Sequence, residues 1–146
     1  MAGLVAPATA RAQSAADTAS VQAFYQRWFG SLAQGPDRYA GFYAEDGTVL
    51  PPNMAPAQGR AAIAEWLRAS QAAATHATRP TGLVVDEMRF LSASLVLHRT
   101  TLSGERVPKA GGPAVPFRTR YVDLLRRTAD GWEVLYRIWN DVPPSH

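Results

Sequence analysis

The sequence predicts an α+β domain in which helices come first and a run of antiparallel strands follows. Three observations predict it. Val21, Phe24, Tyr25, Trp28 and Leu32 recur at helical spacing, with Gln22, Gln26 and Arg27 on the opposite side. From Thr81 onward the apolar pattern changes to period two. Near the end, Tyr121 to Asp141 reads as two strands around Ala129-Asp130-Gly131, and Asp-Gly is a strong hairpin signal.

Taken in order, the first helix is expected over about Thr18 to Gln34. Asp17 or Ser20 can cap it, and Gly35-Pro36 stops it. A short second helix, Asp37 to Tyr43, would bury Tyr39, Phe42 and Tyr43, and a brief strand Thr48-Val49-Leu50 follows the polar turn at Ala44–Gly47. Pro51, Pro52 and Pro56 exclude helix and central strand across the next segment. Gln58-Gly59-Arg60 opens a third helix with Ile63, Trp66 and Leu67 on one side. Leu83–Leu91 and Leu95–Leu102 form a strand pair around Ser92-Ala93-Ser94, and Gly104–Pro116 is a connection rich in Gly and Pro. In the last strand, strict alternation puts Val134, Tyr136 and Ile138 on one face and Glu133, Leu135, Arg137 and Trp139 on the other.

The chain has 146 residues, 47% of them hydrophobic and 18% charged, which suits one folded domain. The formal charge is +3, and of the basic residues only Lys109 is lysine. This mild excess does not call for nucleic acid. Absence of cysteine excludes disulfides, thiolate catalysis and zinc–thiolate sites. No apolar run approaches the roughly 20 residues that span a bilayer. His76, His98 and His146 are scattered, with no ligand spacing for a metal, and no motif calls for a cofactor. Met1–Ala12 is small and apolar and ends in Ala10-Arg11-Ala12, as the tail of an export signal would; an Ala-rich leader is the plainer alternative. The expected division is a leader over residues 1–15, one domain over 16–142 and a tail over 143–146. Cleavage of the leader would place the protein in a periplasmic or secreted compartment, and otherwise in the cytoplasm.

The order of elements, with YAEDGTVLPPNMAPAQGRAAIAEW in the middle and DGWEVLYRIWND at the end, resembles the SnoaL-like branch of the nuclear transport factor 2-like superfamily. The resemblance covers roughly Ala16 to Val142. It implies a curved antiparallel sheet wrapped around three helices to form a cone with an internal cavity. It also implies a homodimer through the outer sheet face, which the face carrying Leu135 and Trp139 would supply. Because the superfamily hosts isomerases, cyclases, hydratases, epoxide hydrolases and binding modules, the fold does not name a reaction.

Known chemistries can be compared residue by residue. Where ketosteroid isomerase, a distant relative by this resemblance, carries a carboxylate base, this chain has Pro51 or Pro52. Its oxyanion-binding tyrosine falls at Trp28 and its second acid near Arg120 or Tyr121. The Asp-Arg-Asp set of limonene epoxide hydrolase is missing too: His98-Arg99-Thr100-Thr101 contains no acid, and Ile138 stands where the other Asp is needed. The remaining candidates are His98 or Asp123 as base and Tyr121 or Trp28 as hydrogen-bond donor. A structural histidine is the plainer reading of His98, and an ion pair at the sheet edge is the plainer reading of Asp123. Trp28, Tyr43, Met54, Trp66, Tyr121, Tyr136 and Ile138 are expected to wall a cavity for a small hydrophobic molecule, with Asn53, His98, Asp123 and Asn140 as polar contacts. The function expected is binding of that molecule, with isomerase, cyclase or hydratase chemistry as one branch and non-catalytic binding as the other.

Overall fold

The structure, a computed structural model, describes residues 14–143. The expected leader at Met1–Ala12, and His146, lie outside the described residues. The first helix, α1 (Ala15–Gly30), starts at Ser14 rather than at Asp17 or Ser20. The Ser14 side chain accepts from the Asp17 backbone N–H while the Asp17 carboxylate accepts from Ser14, a reciprocal cap. One stripe of α1, made of Val21, Phe24, Tyr25 and Trp28, is buried. A 3₁₀ turn (Ser31–Gln34) and the five-residue α2 (Pro36–Ala40) follow. Tyr43, expected to end that helix, instead opens β1 (Tyr43–Leu50). The two-residue β2 (Ala57–Gln58) leads into α3 (Arg60–Ala73), which buries Ile63, Ala64 and Leu67.

Four long strands complete the chain: β3 (His76–Ser92), β4 (Leu95–Pro108), β5 (Val115–Thr128) and β6 (Gly131–Asp141). The β3–β4 pair runs well into the stretch read as loop, because Gly104 lets the two backbones approach. A Cβ there would lie 2.4 Å from the Arg79 carbonyl oxygen. The sheet order is β2-β1-β6-β5-β4-β3, with β3 at one edge. All pairings are antiparallel except β1 with β6, which is parallel. The fold class is the α+β arrangement expected, with that one parallel pairing added.

The β5–β6 hairpin turns where the Asp-Gly signal places it, with Gly131 at φ +140°. Its register then shifts. Leu125 pairs with Val134 but Leu124 pairs with Tyr136, so Leu135 has no partner on β5. This β-bulge puts two residues of one strand against one of the other and moves every later side chain of β6 to the opposite face. Trp132 and Val134 face the helices before the bulge, and Arg137 does so after it. The hairpin is tied to α1 by the Trp132 indole N–H, which donates to Ser20 Oγ at 2.9 Å, and by Arg127, which donates to Asp17 at 2.7 Å. The core lies between the helices and this face of the sheet, where Trp28, Tyr43, Val49, Ile63, Val96, Leu125 and Val134 are fully enclosed. Each such side chain contributes roughly 1.5–3 kcal/mol by leaving water.

Candidate functional site

Strand register brings the polar site together. On β4, Val96, His98 and Thr100 face the helices; on β5, Asp123 and Leu125 do so. His98 pairs with Asp123 across β4 and β5, and Asp123 pairs with Arg137 across β5 and β6. The three stand in a row under α1. His98 is 1% exposed, Asp123 0% and Arg137 4%.

Arg137 is the centre of this row. Its Nε donates to Asp123 Oδ1 at 2.8 Å and its Nη2 to Asp123 Oδ2 at 3.0 Å, a two-pronged pair. Nη2 also donates to the Tyr25 hydroxyl at 3.2 Å, and Nη1 to the Tyr39 hydroxyl at 3.3 Å. The Tyr25 hydroxyl in turn donates to Asp123 Oδ2. The guanidinium carbon lies 4.2 Å from the Trp28 ring centre and 4.4 Å from that of Tyr121. Burial acts to discharge Arg137, but Asp123 and the surrounding tyrosines outweigh it and hold the guanidinium firmly protonated. Burial, reinforced by the Asp123 charge, raises the Tyr25 phenol well above its ordinary range. Burial likewise raises Tyr121 and, with Tyr39 beside it, Tyr43.

His98 is different in kind. Its ring lies 4.2 Å from the Tyr25 ring, centre to centre. Burial lowers its pKa below the ordinary 6.5, and the Asp123 charge offsets this only in part, so the imidazole is neutral at pH 7. Among the described residues neither ring nitrogen has a hydrogen-bond partner, nor do the indole N–H groups of Trp28 and Trp66; the Thr100 hydroxyl interacts with that of Tyr25. At the side of the site, Trp66 of α3 packs on Trp139 at 5.6 Å, and Trp139 meets Tyr121 at 6.1 Å. These three half-buried rings form a rim leading to Arg137 and Trp28.

The sequence-predicted residues divide accordingly. His98, Asp123, Tyr121 and Trp28 converge, and Tyr43 lies behind them, edge-on to Trp28 at 5.5 Å. Asp123 is an ion pair, but an interior one and not at a sheet edge. Three residues expected to face the cavity, two as walls and Asn140 as a polar contact, do not. Tyr136 (47% exposed), Ile138 (46%) and Asn140 project from the opposite face, because the bulge at Leu135 reverses the alternation assumed for them. For the same reason Trp139, expected on the outer face, turns toward Trp66, and Leu135 is a half-buried bulge residue. Asn53 and Met54 are exposed in the proline-rich loop, where Asn53 adopts a left-handed φ of +57° that asparagine tolerates. The sequence reading missed Arg137, Tyr25 and Tyr39. A ladder continued from Thr128 and Gly131 without a bulge sets Asp123 against Tyr136, so nothing in the pattern aimed Arg137 inward.

The arginine run of β5 is also split. Arg126 bonds Glu133 and Arg127 bonds Asp17, while Arg118 and Arg120 line a groove of about 640 Å³ on the outer face. Among the described residues no group of His, Asp and Glu side chains is arranged to hold a metal, and no helix is long and apolar enough to cross a membrane.

Comparison with curated proteins yields no match. Solved structures do match. A ketosteroid isomerase-like protein from Erwinia carotovora atroseptica superposes with a TM-score of 0.77 at 20% identity, covering 90% of this chain and 100% of that one. A protein from Catenulispora acidiphila in complex with S-DNPA gives 0.67 at 27% identity, covering 88% and 95%. A domain of unknown function with a cystatin-like fold from Nostoc punctiforme gives 0.68 at 16% identity, covering 90% and 81%. The sequence itself matches the SnoaL-like domain model over residues 13–138, so the chain belongs to the SnoaL-like domain family.

Proposed function

We propose that the protein binds a small, largely apolar molecule on the helix-side face of its sheet, between the Trp66–Trp139–Tyr121 rim and the Asp123–Arg137 pair, and that His98 exchanges a proton with it. One observation carries this reading. Four buried polar atoms of Trp28, Trp66 and His98 have no hydrogen-bond partner among the described residues. Each costs about 1–3 kcal/mol if left so, and a bound molecule would complete them. The relative from Catenulispora acidiphila was solved with S-DNPA bound, which favours ligand binding here.

The roles follow from the chemistry of each group. A neutral imidazole can accept a proton at one nitrogen and donate at the other. Asp123 cannot serve as a free base while Arg137 and Tyr25 occupy both its oxygens, so it positions them. Tyr121, kept protonated by burial, is a donor at the rim. The reaction class is isomerisation, cyclisation or hydration without a cofactor. The test is to identify by mass spectrometry what co-purifies with the full chain, and then assay its conversion. His98→Gln should keep ligand affinity within a few-fold and lower turnover by about 10²-fold or more. An unchanged rate would remove His98 from the mechanism.

A second reading, a non-catalytic binding or accessory protein, is favoured by the freedom of the His98 ring. Catalytic imidazoles are commonly oriented by a hydrogen bond at the second nitrogen, and His98 has none among the described residues. Absence of turnover on every bound ligand would select it. Its place would be an exported compartment if Met1–Ala12 is cleaved, which sequencing the mature N-terminus decides.

The same proposal includes a homodimer through the outer sheet face, with its apolar centre moved from Leu135 and Trp139 to Tyr136, Ile138, Val122, Leu124 and Leu97. These residues are cross-strand neighbours on β4, β5 and β6, and Tyr136 and Ile138 are exposed large apolar side chains.

A further inference from the structure

On the outer face of the sheet, the first two arginines of β5 are left without a counter-charge. Arg118 and Arg120 are exposed on the same face of the strand, roughly 7 Å apart along it. Neither side chain has an ion pair or a hydrogen bond among the described residues. Their neighbours are committed elsewhere. Arg99 donates to Glu87 at 2.6 Å, Arg106 to Asp141 at 2.8 Å and Arg126 to Glu133 at 2.7 Å, so those acids are spent. Asp86 accepts the Thr101 hydroxyl at 2.6 Å. It belongs to β3, two strands across the sheet from β5 and so roughly 10 Å away. Between these walls lies the outer groove of about 640 Å³. Ser103 sets a hydroxyl beside Arg118, its partner across β4 and β5. Val84, 59% exposed, and Val122 add apolar surface.

From this placement we infer a second binding site, on the outer face, for an organic phosphate: a doubly charged oxyanion carried on a small apolar group. Two adjacent guanidiniums offer two positive charges and two forks of N–H groups. A phosphate matches both with its peripheral oxygens, whereas a carboxylate brings one charge and two oxygens that a single fork already fills. The apolar group would rest on Val84 and Val122. This site does not depend on what the helix-side face binds. It meets the apolar patch proposed for the homodimer at Val122 and extends from there to Arg118.

The experiment is calorimetric titration of the full chain with phenyl phosphate in low salt at about pH 8, where the ester is a dianion, with benzoate as the singly charged control. Phenyl phosphate should bind with a Kd of about 1 mM or tighter. Benzoate should bind at least about 10-fold more weakly. Arg118→Gln and Arg120→Gln should each weaken phenyl phosphate by about 5-fold or more. Arg27→Gln, which removes an exposed arginine from α1, should leave its affinity within about two-fold. Asp86→Asn should tighten binding by about two-fold, because it removes a like charge from the far wall. Four outcomes overturn the inference: no heat at about 10 mM ligand, benzoate binding as tightly as phenyl phosphate, an affinity unmoved by Arg118→Gln and Arg120→Gln, or an equal loss in Arg27→Gln. None of them bears on the helix-side site.

Discussion

Removing one member of the Asp123–Arg137 pair should be far more damaging than removing both. Arg137→Met leaves the Asp123 carboxylate at 0% exposure with only Tyr25 for company, and Asp123→Leu leaves a guanidinium at 4% exposure facing two phenols. Breaking a buried pair from one side costs about 3–5 kcal/mol, because an uncompensated charge stays behind. For a domain of this length that is a fall in Tm of roughly 10–20 °C. The double variant Asp123→Leu/Arg137→Met buries no charge. It loses the hydrogen bonds to Tyr25 and Tyr39, about 1 kcal/mol each, so its total loss should be about 1–3 kcal/mol. The coupling in the double-mutant cycle is then at least about 3 kcal/mol. Urea unfolding followed by circular dichroism at pH 7.5, with calorimetric melts beside it, measures all three variants. Two outcomes would refute the reasoning. One is a single variant costing less than about 1 kcal/mol; the other is a double variant whose loss equals the sum of the two singles.

Three further outcomes are expected. His98 is held below its ordinary pKa of 6.5 by burial, so the unfolded chain binds the extra proton first as pH falls. Stability should therefore be level above about pH 6.5 and decline below it, and His98→Gln should flatten the slope of unfolding free energy between pH 7 and pH 5; an identical slope in both proteins excludes His98 as its source. Gly104→Ala should cost about 1–3 kcal/mol in urea unfolding, because the new methyl group meets the Arg79 carbonyl at 2.4 Å, Phe117 at 2.8 Å and Pro80 at 2.9 Å; a wild-type midpoint would mean that the β3–β4 strands separate freely there. Ile138→Glu on the outer face should convert a dimer to a monomer in sedimentation velocity while leaving the melt cooperative, and a persisting dimer would move the interface elsewhere.

Much of the architecture is legible in the residues because it is written in local periodicity. The stripe Val21, Phe24, Tyr25, Trp28 has helical spacing, and α1 buries that stripe. Asp130-Gly131 marks the last turn, and the hairpin turns there. His98 and Asp123 share a face with Thr100 and Leu125 by simple alternation, and all four point toward the helices. Boundaries were less legible. The β3–β4 strands continue past Leu102 because Gly104 permits a backbone contact that composition alone cannot announce.

What the sequence by itself determined, then, is the succession of helices and strands, the buried stripe of the first helix, and the sharing of one strand face by His98 with Thr100 and by Asp123 with Leu125. Each follows from the fixed geometry of a helix or strand over a few residues. The partner of Asp123 was decided by tertiary structure alone. One unpaired residue, Leu135, turns Arg137 inward to meet Asp123, Tyr25 and Tyr39, turns Trp139 toward Trp66, and leaves Tyr136 and Ile138 outside. A bulge is set by how a strand accommodates its neighbours on both sides. Here β1 joins β6 in parallel with a register shift of its own between Tyr43 and Thr48, and that neighbour lies some ninety residues away along the chain, beyond the reach of any local pattern.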